Sequence, residues 1–457
     1  MGVPADVLTQ ALDLHKKKRF DEASRLYNAL LNRNPFDETL LFLLGDLYLR
    51  KNDTGLAVNL LSSLLQFNPK HAQAWCNLGI GYRQEDRLDQ ALICWEKALA
   101  LQGDTVEVCS NMAGLYADRC QPQEALHWID RSLAIDPTMT EAHWQRGLVL
   151  LTMRKWAEGW DEYEYRLKLD EVDTRKSLNL PYWDWQPTEH LYIHGEQGIG
   201  DEIMFLSCLD DVLPLAKRVT LEVNEAVAGI AKFTWPKVNV ITKVRDGDYT
   251  AKVALGSLAV HFRRSESAFP GIPYITPNPT RVKQYRNKLE SMGPGPYLAL
   301  AWFGGSKKTR IEDRSLPVTA LKPIMERYTC VSGQYEHTNP FVRQDRLDAG
   351  LSALDDDCLG KDMHAQAALF KAVDAVVTVQ QTAVHVAGSV GTPTFVMVNK
   401  TPHWRYGAQG NMPWYDSVQL IRQKEQGDWT PVIQQVENEL AHFARVCRTE
   451  SAAARAA

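Results

Sequence analysis

The segment His194-Gly195-Glu196-Gln197-Gly198-Ile199-Gly200-Asp201-Glu202 lies between two apolar runs of different character. Before it, Leu191-Tyr192-Ile193 reads as a short buried strand. After it, Ile203-Met204-Phe205-Leu206 with Leu209, Val212 and Leu213 reads as an amphipathic helix. The order is strand, glycine-rich turn, helix. Gly195, Gly198 and Gly200 are expected to give the backbone conformations closed to other residues and a close approach to a ligand. Asp201 then falls in the first helical turn, where the helix dipole favours an acid and the side chain can face the cleft above the strand ends.

The dinucleotide fingerprint is G-x-G-x-x-G, whereas the order here is G-x-x-G-x-G with an acid directly after the last glycine. Glu222 stands near the end of the next expected strand, Val219-Thr220-Leu221-Glu222-Val223, where a ribose-binding acid would be. A nicotinamide or flavin reading therefore stays open, and a tight βα turn without a ligand is the bland alternative.

From 191 onward short apolar runs alternate with helical patterns, the signal of α/β organisation around a mostly parallel sheet. Strands are expected at 191–194, 218–223, 238–241 and 251–255 in a first lobe, 191–290. After a Pro- and Gly-rich break from Pro270 to Pro296, a second lobe, 291–445, carries strands at Tyr297–Trp302, 329–332, 375–379 and 394–398, with helices near 318–327, 363–373 and 383–390. Two such lobes imply a cleft that encloses a small ligand. Residues 446–457 read as a flexible tail.

The second lobe holds two constellations. Trp302-Phe303-Gly304-Gly305-Ser306-Lys307-Lys308-Thr309-Arg310, followed by Arg314 and Ser315, offers backbone amides, a hydroxyl and cations directly after a strand. That is what a diphosphate needs, although a solvated basic loop has the same composition. In the second, the strand ending at Val379 runs through Gln380-Gln381-Thr382 into a helix whose first-turn amides and Thr382 hydroxyl suit an anion. His385, one turn on, either faces the same pocket or is a packed helical histidine. Asp355-Asp356-Asp357 looks like a D-x-D metal motif, but it precedes Lys361-Asp362-Met363 in a polar passage and reads as a solvated acidic loop.

At 457 residues the chain is too long for one core, so two or three domains are expected. A net charge of −5 gives no electrostatic footprint for nucleic acid. No stretch reaches the apolar length of a membrane span, and Asp6 stands where a myristoylation signal needs Ser or Thr. The eight cysteines form no C-x-x-C pair, and Cys76, Cys94 and Cys208 fall inside helical apolar patterns. They read as buried free thiols of a reducing compartment, so the expected location is the cytoplasm.

The first part of the chain repeats. Pro35, Pro69, Gly103 and Pro137 stand 34 residues apart. Trp75, Leu78, Gly79, Tyr82, Ala91, Trp95 and Ala98 form the fullest unit, and Leu41, Leu44, Gly45, Tyr48, Ala57, Leu61 and Leu64 match it one period earlier. The unit resembles the tetratricopeptide repeat, with copies placed at 4–37, 38–71, 72–105, 106–139 and 140–173. Stacked repeats bury their apolar faces against one another and leave a concave groove for a protein or peptide, which Asn77, Arg83, Asn111 and Asp118 are candidates to line. The expected domain is 1–173. An aromatic linker follows at 174–190, where Tyr182, Trp183 and Trp185, with Trp156 and Trp160 before them, are expected to pack the repeats against the next domain.

Five ordered passages carry a second resemblance: HGEQGIGDEIMF (194–205), LALAWFGGSKKTRIEDRSLP (298–317), DAVVTVQQTAVHVAGSVGTPTFVMV (374–398), TPHWRYG (401–407) and MPWYDSVQLIRQKEQGDW (412–429). Together with the repeats they resemble bacterial repeat-containing glycosyltransferases related to the lipopolysaccharide heptosyltransferases. The resemblance implies an N-terminal α-solenoid followed by a GT-B pair of Rossmann-like α/β lobes, acceptor mainly on the first and nucleotide-sugar mainly on the second. It implies inverting transfer with no metal or other cofactor. Carried over, Asp201 matches the acid proposed as general base. Ser306, Lys307, Lys308 and Arg310 match the phosphate-binding loop, and Thr382, Ala383 and His385 match the helix start that holds the diphosphate. Gln334, Gln380 and Gln381 are assigned to the donor sugar or nucleotide, and Gly198 and Gly200 to the glycine turn. The family commonly has Asp-Thr where this chain has Gln380-Gln381, and an amide can hydrogen-bond a sugar but cannot carry charge. The alternative is therefore a non-catalytic repeat scaffold with a degenerate transferase-like domain.

Overall fold

The structure, a computed structural model, describes residues 5–169, 179–245, 247–304, 311–336, 339–360 and 362–456. The chain divides into two compact units, Met1–Arg146 and Gly147–Ala457.

In the first unit, helices pair in chain order: α1 Ala5–Lys16 with α2 Phe20–Leu31, α3 Glu38–Arg50 with α4 Thr54–Phe67, α5 Ala72–Gln84 with α6 Leu88–Gln102, and α7 Val106–Asp118 with α8 Pro122–Ile135. A further pair, α9 Thr140–Thr152 and α10 Trp156–Tyr163, continues the period. The turn inside each pair is set by one residue in the left-handed region: Lys18, Asn52, Asp86, Cys120 and Arg154, with φ between 54° and 62°. The N–H of the following residue reaches back five residues, as in Arg87 to the Tyr82 carbonyl at 2.9 Å and Gln121 to the Tyr116 carbonyl at 2.8 Å. This is the Schellman closure of a helix C-terminus, and each non-glycine residue held there costs about 1 kcal/mol. Helix pairing offsets that cost. A Cβ on Gly79 would come within 2.7 Å of Cε2 of Trp95, so the missing side chain is what lets α5 and α6 close on a fully buried tryptophan.

Among the residues expected to line the groove, two contacts join neighbouring repeats. Asn77 is buried, Arg83 pairs with Asp118 at 2.6 Å, and the Asn111 amide donates to the Cys76 sulfur at 3.4 Å.

The second unit contains two parallel sheets. The first has order β3-β2-β1-β4, from β1 Thr188–His194, β2 Ala216–Glu222, β3 Asn239–Ile241 and β4 Ala251–Ala254. The second has order β6-β5-β7-β8-β9, from β5 Tyr297–Ala301, β6 Thr329–Ser332, β7 Ala375–Val379, β8 Thr394–Val398 and β9 Val418–Arg422. Every residue of β5, β7 and β8 is buried, as helices on both faces of a parallel sheet require. Strand order reverses between β1 and β4 and again between β5 and β7, and the crevice beyond the carboxyl ends at such a point is where α/β sheets take ligands.

Three boundaries differ from expectation. Helix α10 belongs to the second unit rather than to the repeats: Trp160 lies 5.6 Å from Trp404 and 6.4 Å from Trp414, ring centre to ring centre, and its indole N–H donates to the Arg263 carbonyl at 2.8 Å. Of the aromatic linker, Pro181–Trp183 extends the first sheet beside β4, with Trp183 N–H on the Lys252 carbonyl at 2.9 Å, while 170–178 lie outside the described residues. A last helix, Thr430–Ala456, runs over the residues expected as a tail.

Candidate functional site

The glycine turn begins where β1 ends. Gly195 donates to the Glu222 carbonyl at 2.6 Å, and Gly198 caps the helix Ile199–Phe205. None of Gly195, Gly198 and Gly200 takes a positive φ; Gln197 does, at 62°. Gly195 and Gly200 serve close approach rather than special backbone geometry, which corrects the first half of the sequence expectation, while a Cβ on Gly198 would meet only the Asp201 carboxylate at an ordinary 3.6 Å. Gln197, a non-glycine residue in the left-handed region, carries the strain at this turn. Its amide donates to the Tyr163 hydroxyl at 2.5 Å, and the preceding Glu196 carboxylate takes Arg166 Nε at 2.9 Å and Nη2 at 2.5 Å with both side chains almost wholly buried. The turn is thus clamped from α10 and the residues directly after it.

Asp201 is the third residue of its helix, and its Oδ2 accepts from the Gly198 N–H at 3.4 Å. Its Oδ1 pairs with the Arg405 guanidinium, so an acid of the first lobe meets a cation of the second, with side chains 14% and 12% exposed. Arg405 sits in the single turn Trp404–Tyr406, stacked over the Trp404 ring at 4.7 Å, with its Nη1 3.0 Å from His403 Nε2. Arg422 at the end of β9 holds this turn, donating to the Tyr406 carbonyl at 2.7 Å and the Gly407 carbonyl at 3.0 Å.

The helix Thr382–Ser389 starts directly after β7, and no side chain caps its N-terminus at Gln381. Gly200 lies against Thr382 and His385, so the glycine turn of one lobe touches the helix start of the other. Ala383 is buried beneath this contact. His385 is buried too, with Nδ1 3.2 Å from the Tyr415 hydroxyl, and burial pushes its imidazole down to about 3. It stays neutral, and of the two sequence readings it fits the packed histidine.

Gln334 departs from its expected role. Its Oε1 accepts from the N–H groups of Trp302 and Phe303, both at 2.9 Å, and its Nε2 donates to the carbonyls of Phe303 at 2.8 Å and Tyr335 at 3.1 Å. It braces the loop after β5 and has little capacity left for a sugar. Gln381 leans on it, donating to Gln334 Oε1 and Thr378 Oγ1 at 3.3 Å each. Gln380 is different. It is 1% exposed, and neither amide atom meets a hydrogen-bond partner among the described residues. Asn399 Oδ1 and Gln423 Nε2, directly after β8 and β9, are likewise buried and unpartnered among the described residues. Polar atoms left so cost about 1–3 kcal/mol each, so the carboxyl edge of this sheet is built to meet hydrogen-bonding groups.

The surroundings are cationic. Burial lowers Arg405 and Arg314 below the usual arginine range. His403 is pushed down to about 3 by burial first, then by Arg314 and His385. Ser306, Lys307, Lys308 and Arg310 lie outside the described residues. Sequence reading missed Arg405, His403, Asn399 and Gln423 as site residues. The signal available for Asn399 is a lone amide at the end of an apolar strand.

The acid that kept the dinucleotide reading open, Glu222, accepts from the Tyr192 hydroxyl of the adjacent strand. In the Asp355–Asp357 run, Asp357 pairs with Arg281 at 2.7 Å and Asp355 caps the Cys358 N–H at 3.0 Å. Among the described residues no group of His, Cys, Asp or Glu is placed to hold a metal ion, and no helix is long and apolar enough to cross a membrane.

Against known proteins, residues 72–105 match the family described as tetratricopeptide repeat. The first unit is a helical repeat solenoid of that type. The chain is similar to Protein FlbA of Caulobacter vibrioides (strain ATCC 19089 / CIP 103742 / CB 15), 26% identical over 420 residues that cover 85% of this chain and 70% of that protein. Its name states no activity. Among solved structures, a thermophilic TPR protein of Thermus thermophilus is 20% identical, covering 36% of this chain and 91% of its own, with a TM-score of 0.33. A tetratricopeptide repeat protein from Parabacteroides merdae ATCC 43184 is 21% identical, covering 35% and 63%, also at 0.33.

Proposed function

We propose that the α/β unit is a GT-B glycosyltransferase that moves a sugar from a nucleoside-diphosphate donor to an acceptor hydroxyl, and that the repeats recruit the acceptor or an adaptor protein. One observation carries the reading: Asp201 and the Thr382 helix start come from different lobes and meet at the Gly200 contact, beside the amide of Gln380, which has no partner among the described residues. In transfer, the acceptor oxygen attacks the anomeric carbon and its proton passes to the Asp201 carboxylate. The bond from that carbon to the diphosphate oxygen breaks, and the departing diphosphate keeps the electron pair. The amides at the Thr382 helix start and the arginines around it are suited to stabilise the charge that builds there. Gln380 offers a donor and an acceptor to sugar hydroxyls in place of a carboxylate.

A second reading, a scaffold that binds without turnover, draws support from two features. Asp201 is neutralised by Arg405, and Gln380-Gln381 brings no charge to the donor side. Nucleoside diphosphate release from a panel of nucleotide-sugars, with cell lysate as acceptor source, separates the two. Release with one donor that falls at least about a hundredfold in Asp201→Asn supports transfer by a general base. Binding without release supports the scaffold.

A further inference from the structure

The Asp201–Arg405 pair joins residues 204 positions apart across the two lobes. In this state it opposes catalysis, because a carboxylate held by a guanidinium is a poor proton acceptor. Yet the surroundings of Arg405 favour a partner with more charge than one carboxylate. His403 is at its Nη1, and Arg314 lies near both His403 and Tyr406. Burial disfavours the ionised form of all three. A diphosphate brings at least two charges and the paired oxygens that a guanidinium fork matches best. Asp201, for its part, keeps a local donor when the arginine leaves, the Gly198 N–H.

We propose that Arg405 exchanges partners, pairing with Asp201 as seen and moving to the diphosphate when a donor binds, so that the Asp201 carboxylate is released as a base only when the donor is in place. The exchange rests on the nucleotide-sugar reading of this cleft and adds to it an order of events. It also assigns Arg405 a direct contact to the diphosphate, which no sequence motif gave it. No atom changes hands in the exchange itself; one ion pair breaks and another forms.

Binding of inorganic pyrophosphate, and separately of ADP, GDP and UDP, to the full chain by calorimetry tests this without knowledge of the base or the acceptor. Asp201→Asn removes the competitor for Arg405 and should bind pyrophosphate about tenfold tighter than wild type, while Arg405→Gln should bind it about tenfold more weakly or worse. The double variant Asp201→Asn/Arg405→Gln leaves no buried charge unpaired and covers the case in which Arg405→Gln fails to fold; it should lose the gain seen in Asp201→Asn. Unchanged or weaker pyrophosphate binding by Asp201→Asn would overturn the exchange while leaving the nucleotide-sugar reading intact. Absence of binding of any of the four probes by the wild type would overturn the nucleotide-sugar reading and the exchange with it.

Discussion

A Cβ built on Gly200 would lie 3.4 Å from the Thr382 hydroxyl and 3.2 Å from Cδ2 of His385, so these residues fix how closely the glycine turn approaches the second lobe. His385 cannot yield easily, because its other face is held through Tyr415, whose hydroxyl lies 3.2 Å from that of Tyr274. Gly200→Val should therefore destabilise the α/β unit by about 1–3 kcal/mol through overpacking. Gly200→Ala should cost less. Thermal unfolding checks both, and a valine variant as stable as wild type would show that the contact is slack.

Two histidines make a pH prediction. Unfolded, His385 and His403 titrate at 6.5; folded, burial holds both down to about 3. Between these values the unfolded chain binds the extra protons, so their contribution is full above about 6.5 and is lost as pH falls toward 3. Stability measured by urea unfolding should decline as pH falls from 7 to 5, with these two histidines adding a slope that approaches two protons at the low end, and His385→Gln should remove about one of them. An unchanged slope in the variant would contradict burial as the cause.

Arg166 and Glu196 are a buried pair whose worth lies in being complete. Arg166→Met leaves the Glu196 carboxylate with the Gly256 N–H at 2.9 Å but no counter-charge. It should cost about 3–5 kcal/mol, whereas Arg166→Met with Glu196→Gln should recover most of it. The readout is the unfolding midpoint of the α/β unit, and equal midpoints for the single and double variants would remove the clamp on the glycine turn from the account.

In the solenoid, Gly79→Val drives a side chain into Trp95 and should cost about 1–3 kcal/mol. Stability in a repeat array is a sum over neighbours, so the loss should spread to the adjoining helices α3, α4, α7 and α8 and not to the sheets. Hydrogen exchange resolves this: protection lost in the sheets as well would mean the units do not unfold separately.

Much of this architecture is legible in the chain because its signals are local. The strands at 375–379 and 394–398 fall where their apolar runs place them, since a strand covered on both faces leaves no polar alternation. β9 escapes for the opposite reason. It is an edge strand, and Gln419 and Arg422 interrupt its apolar residues. Repeat boundaries follow from a turn that recurs every 34 residues, whereas the membership of α10 in the α/β core depends on distant partners such as Trp404 and Trp414.

The site divides the same way. Asp201 and Thr382 are read from glycine spacing and from a strand entering a helix, both short-range patterns. Gln334 and Gln380 look alike in the sequence, but one is spent on four backbone groups and the other on none among the described residues, a difference that only the fold creates. Arg405 takes its meaning entirely from Asp201, on the other lobe.

The most direct test of the central claim is a calorimetric titration of the full chain with a panel of nucleotide-sugars, comparing wild type with Gln380→Leu. One donor should bind at a single site, and the leucine, which keeps the volume but removes both hydrogen-bonding atoms, should weaken it about tenfold or more. No binding by any donor, or equal binding by the leucine variant, would contradict a nucleotide-sugar held at the carboxyl ends of β5 and β7.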